Sequence, residues 1–205
     1  MVPQFTSGVF NQRLWPKAGD VDDCWCIADL MVVHGCAPWL RLPNVPKYRA
    51  AAGKPDSPGK ADPGGILDSA RAIGALYKDL AIEVMESGLW EDFIAKVKAG
   101  HAASLSVLSG SLPPALQFGF AGPHRVAVFW NGTELRLANP LARAHSRSRA
   151  IAEEDLHKAV RDHPASHVNC VLMPTVEEAF KTHPLLQGAI DTAIDTIDDG
   201  TDDTP

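Results

Sequence analysis

From Cys24 the chain reads Cys-Trp-Cys-Ile-Ala-Asp-Leu-Met-Val-Val-His-Gly, which spaces Ile27, Leu30, Met31 and His34 at helical intervals and ends on a glycine stop. Asp22 and Asp23 precede this run as candidate N-caps, so Cys24 falls in the first turn of a buried helix. The stretch 41–65 carries five prolines and four glycines and reads as a long irregular excursion, suited to form one wall of a cleft. Helices are predicted over 68–80 and 89–99, the second closed by Gly100, and strands over 81–85 and 102–108. The stretch 109–123 reads as a loop.

The most informative pattern follows that loop. His-Arg-Val-Ala-Val-Phe-Trp and Thr-Glu-Leu-Arg-Leu-Ala-Asn-Pro flank Asn131-Gly132, the strongest short-range hairpin signal, because a type I′ turn needs positive φ at both central residues. With those two residues as the turn, Trp130 pairs with Thr133 and His124 falls opposite Asn139. Directly opposed residues have Cβ atoms about 4.5–5.5 Å apart, close enough for the two side chains to hydrogen-bond. Val126, Val128, Leu135 and Leu137 share their face, whereas Arg125, Glu134 and Arg136 alternate onto the other. The pair therefore ends the core-facing stripe.

Downstream, 151–162 reads as an amphipathic helix, 168–173 as a strand and 176–182 as a short helix. In 186–205, Ile190, Ile194 and Ile197 keep helical spacing ahead of an acidic run with no basic residue. Such a tail is marginal by itself, and a protein assembly partner would be the natural thing to hold it. The expected organisation is one α+β domain over 1–185 followed by an acidic tail over 186–205.

The balance of residue types narrows the function classes. At 205 residues, 45% of them apolar, the chain suffices for one domain with a sizeable core. A net charge of −6 argues against nucleic acid as partner, and the short cluster Arg143, Arg147 and Arg149 reads as a solvated loop. The first 19 residues lack a signal-peptide pattern, and no run approaches the roughly 20 apolar residues of a membrane span. Four cysteines are too few and too uneven for a disulfide framework, so reduced thiols in a cytoplasmic or virion-borne protein are expected.

A thiol at a helix N-terminus beside an imidazole is a candidate nucleophile, since both features favour the thiolate. Cys24 would be the nucleophile, His124 its base and Asn139 the group that orients the ring. Taken singly, each has an ordinary reading: Cys24 as a small buried hydrophobe, His124 as a satisfied strand-end histidine, Asn139-Pro140 as a turn signal. Their conjunction carries the case.

In these residues the chain resembles the papain-like cysteine peptidases, and most closely their double-glycine leader peptidase branch with its bacterial and phage relatives. The matching motifs are Asp-Cys at the start of an apolar helix, Gly-Pro-His at the start of a strand and Ala-Asn-Pro at the end of the next strand. The intervening order also matches, a helix, Gly-Leu-Trp-Glu-Asp, a helix, Lys-Ala-Gly and a strand before the histidine, the helix with Glu154-Asp155-Leu156 sits where relatives have one, and the likeness spans roughly 21–173. It implies an α+β papain-like fold and cleavage of a peptide or amide bond in a peptide or protein substrate through Cys24, His124 and Asn139, with no metal or organic cofactor.

Two departures accompany it. The branch usually has Asp-Pro where this chain has Asn139-Pro140, although papain itself uses asparagine. The family also places an oxyanion-hole glutamine five or six residues before the cysteine, where this chain has Gly19 and Ala18, which leaves Gln12 as the nearby candidate. Asp20, Asp22 and Asp23 moreover surround the thiol with negative charge, which opposes thiolate formation. These features support an alternative, a catalytically weak or inactive papain-like structural or assembly protein such as a phage virion (tail or head) component. A zinc site on Cys24, Cys26, His34 and Cys36 requires the first helix to fail, since a helix would set Cys24 and His34 some 15 Å apart. His34, His145, His157, His163, His167 and His183 show no ligand spacing, and Cys26, Cys36 and Cys170 read as apolar fillers.

Overall fold

The computed structural model describes residues 23–54, 64–142 and 148–183. Gln12, Asp20, Asp22, Arg143, Arg147, residues 55–63 of the proline-rich stretch and the acidic tail lie outside them.

The apolar run from Cys24 forms helix α1 (Cys24–Cys36), in which every residue except Cys24 and His34 is buried. A helix apolar all round belongs inside a protein, and α1 packs across the central strands of the sheet described below. With α1 formed, Cys24, Cys26, His34 and Cys36 are strung along its length and cannot converge on one ion. Among the described residues no group of three metal-ligating side chains comes together, and no helix is long and apolar enough to cross a membrane.

The proline-rich stretch is not irregular throughout. Helix α2 (Val45–Ala51) begins where Asn44 accepts a hydrogen bond from the Lys47 N–H, with Pro46 in its first turn. Asparagine as N-cap and proline in the first turn are start signals for a helix, because the first-turn N–H groups have no partner inside it. Helix α3 (Ile66–Leu76) follows, and α2 packs against both α1 and α3.

The remaining chain alternates short strands and helices: β1 (Glu83–Gly88), α4 (Trp90–Lys98), β2 (Ala103–Leu108), α5 (Pro114–Gln117), β3 (Pro123–Trp130), β4 (Leu135–Ala138), β5 (Arg149–Ala150), α6 (Glu153–Arg161), β6 (Val168–Leu172) and α7 (Val176–Lys181). The stretch 109–123, expected as loop, thus holds α5 and a single 3₁₀ turn at Ser109–Ser111. The strands form one antiparallel sheet in the order β1-β6-β2-β3-β4-β5. Six consecutive residues of β3 are buried, so both faces of the sheet centre are covered. Arg125, expected on the face other than the core-facing stripe, is therefore also inside, at 4% exposure.

The hairpin register also differs from the expected one. Trp130 pairs with Leu135, so four residues connect β3 and β4 rather than two. Asn131 lacks the positive φ that a type I′ turn demands, while Gly132 sits at +98°. The Asn131 Oδ1 instead accepts from the Thr133 and Glu134 N–H groups, a local side-chain turn that opens the loop. An offset of two residues keeps every side chain on its expected face.

Candidate active site

Cys24 opens α1, half-buried, where the helix dipole favours an anion. Asp23 occupies the cap position without capping; its carboxylate instead accepts a hydrogen bond from Arg49 Nη1 at 2.9 Å, with both side chains buried. Part of the negative charge that the sequence sets beside the thiol is thereby offset by a guanidinium delivered from α2. The same guanidinium lies 5.9 Å from the Trp25 ring centre, Trp25 packs on Tyr48, and the Tyr48 hydroxyl donates to Asp29 at 2.9 Å. The segment read as excursion thus buttresses the N-terminal turn of α1.

His124 stands at the start of β3 at 5% exposure, its ring 5.5 Å from that of Phe120. Asn139 follows the end of β4. Because of the two-residue offset the pair is diagonal rather than opposed, and His124 Nε2 still meets Asn139 Oδ1 at 2.9 Å. The rest of the asparagine fixes the roles in this contact. Its Nδ2 donates to the Leu116 carbonyl at 2.8 Å and its Oδ1 also accepts from the Leu141 N–H at 2.8 Å, so Oδ1 faces the ring. A carbonyl oxygen only accepts, hence Nε2 carries the hydrogen and Nδ1 keeps its lone pair. Burial pulls the imidazole pKa down to about 4, and the hydrogen bond to the neutral Asn139 raises it only in part. The ring is therefore a neutral base across the physiological range.

Cys24 and His124 line one open cleft of about 300 Å³. Gly64 and Gly65 border it, and the approach is close: a Cβ on Gly64 would sit 2.3 Å from the Trp25 ring. Ser106, Arg125, His163 and Asn169 line it as well. None of these four stood out in the sequence. Arg125 was masked by strand alternation, and His163 lies in the turn after α6, with no spacing that marks it. The oxyanion-hole candidate Gln12 lies outside the described residues, which leaves the first-turn N–H groups of α1 as donors pointing out of the helix.

No protein-family model matches the chain, and no curated protein matches it in sequence. The structure is similar to a solved structure from Bacillus anthracis designated a C39-like peptidase, with a TM-score of 0.57 over 85% of this chain and 97% of that one, at 9% sequence identity. At that identity the likeness speaks for the fold, and together with the N-terminal buried helix on an antiparallel sheet it establishes that this chain has the α+β fold of the papain-like cysteine peptidases.

Proposed function

We propose that the protein is a cysteine-type hydrolase of peptide or related amide bonds, with Cys24 as nucleophile, His124 as general base and acid, and Asn139 as the orienting residue. The observation that carries this reading is the His124–Asn139 hydrogen bond, which leaves Nδ1 as the basic nitrogen of a ring bordering the cleft that Cys24 also lines. Nδ1 takes the thiol proton as sulfur attacks the carbonyl carbon, and the oxyanion forms against N–H groups of the first turn of α1. Collapse expels the amine, which takes the proton back from the imidazolium and leaves a thioester. Water, deprotonated by Nδ1, then attacks the thioester, and the carboxylic acid departs as Cys24 is regenerated. Asn139 holds the ring in the tautomer that every step uses.

The test is alkylation by iodoacetamide across pH, with the labelled cysteine located by mass spectrometry. Cys26, Cys36 and Cys170 serve as internal controls, because burial raises the pKa of each. Labelling of Cys24 well ahead of these thiols at pH 7, slowed at least tenfold in His124→Ala, is the expected result. Labelling that is indifferent to His124 overturns the mechanism.

A further inference from the structure

The cleft that Cys24 lines also holds a charge, Arg125, that no carboxylate of the described residues meets in an ion pair. Arg125 is 4% exposed, yet among the described residues its one hydrogen bond is from Nη1 to the Ser104 carbonyl at 3.4 Å and no carboxylate lies within 4 Å of it. Burial pushes the Asp29 carboxyl up while the field of Arg125 pulls it back down, without an ion pair between the two. Buried charges are ordinarily paired, since an unpaired one forgoes its hydration without return.

Its neighbours in the cleft are donors as well. His163 Nδ1 accepts the Ala165 N–H at 3.2 Å, so its Nε2 carries the hydrogen. Ser106 adds a hydroxyl. The Asn169 amide is already used, Oδ1 by the Ser87 N–H and Nδ2 by the His167 carbonyl, so it serves as wall. Residues that carry a guanidinium, an imidazole N–H and a hydroxyl, lining one cleft whose described lining includes no carboxylate, suit a planar anion with two acceptor oxygens.

We infer that these residues form a carboxylate-binding subsite and that the preferred substrate is a peptide presenting a carboxylate to Arg125 while its scissile bond lies at Cys24. The inference deepens the hydrolase reading and rests on it for the scissile bond, but its binding part stands without catalysis. The carboxylate can come from an acidic side chain or from a peptide C-terminus.

The experiment uses the full chain as Cys24→Ala, titrated with acetylated, amidated alanine hexapeptides that carry one Glu or one Gln at each position. An alanine hexapeptide with a free C-terminal carboxylate completes the set. Binding is read from the indole N–H resonance of Trp25, which also borders the cleft. The expected result is roughly tenfold tighter binding of one Glu peptide, or of the free-carboxylate peptide, over its uncharged counterpart. That preference should fall below about twofold in Arg125→Gln and persist in Arg125→Lys. Preference for a Glu peptide assigns the side chain as source, and preference for the free carboxylate assigns the terminus. Equal binding of charged and uncharged peptides, or binding of neither, overturns the subsite. Because no cleavage is needed, a failed alkylation test of the hydrolase leaves this outcome readable.

Discussion

His124 Nε2 donates to Asn139 Oδ1 at 2.9 Å while the other end of the same amide donates to the Leu116 carbonyl. One amide thus serves an imidazole and a buried backbone oxygen, and neither task can be done by a carboxylate without changing the other. Asn139→Asp should raise the His124 pKa from about 4 by roughly one to three units, because a carboxylate favours the imidazolium. The same change sets two acceptors against each other at Leu116 and should cost about 1–3 kcal/mol of stability. An NMR titration of the His124 ring, alongside urea unfolding, checks both; an unmoved pKa would refute the orienting contact.

The depressed His124 pKa also has a consequence for stability. The folded value of about 4 lies below the 6.5 of an unperturbed histidine, so between these limits the unfolded chain binds the extra proton. Stability from this group is therefore fully present above about pH 6.5 and is lost as pH falls toward 4, by about 3 kcal/mol at the end of that window. Urea melts at pH 7 and pH 4.5, for the native chain and for His124→Gln, isolate the term. Equal pH slopes in the two proteins would exclude it.

How much of this was legible in the sequence depends on which physical signal a residue sends. Cys24 was placed correctly because an apolar run with helical spacing leaves little choice of element. His124 and Asn139 were brought together although their expected register was off by two residues, since an even offset preserves faces. The offset itself came from Asn131, whose side chain bonds the next backbone N–H groups instead of allowing positive φ, a choice between two turns that the dipeptide alone does not decide. Helix α2 was hidden by its prolines, which were read as breakers although Pro46 follows a capping Asn44. The buried Arg125 could not be found at all, because alternation separates faces but does not tell which of them a later helix will cover.

Arg49 joins α2 to the start of α1 through Asp23. Arg49→Met removes that guanidinium from a buried carboxylate and should destabilise the protein by about 3–5 kcal/mol. The retained negative charge should also move Cys24 alkylation to higher pH, since a nearby anion opposes the thiolate. Arg49→Lys keeps the charge and should recover most of the alkylation profile while losing part of the stability. A Cys24 pH profile identical in the native and methionine proteins would show that the thiol does not sense this pair.

The last prediction contrasts two glycines. Gly64 lies so close to the Trp25 indole that a Cβ would fall 2.3 Å from it, a clash with a rigid, buried ring. Gly64→Ala must displace either the cleft wall or Trp25, the residue after Cys24, and should cost about 1–3 kcal/mol. Gly74 lies within α3, where an added Cβ meets nothing within 4 Å. Gly74→Ala should therefore stabilise by about 0.5–1 kcal/mol, because alanine loses less backbone freedom in a helix. Chemical denaturation gives both values, and the indole resonance of Trp25 should shift in the first variant and stay in place in the second. Were Gly64→Ala neutral with an unmoved indole, the close packing of this wall against α1 would be disproved.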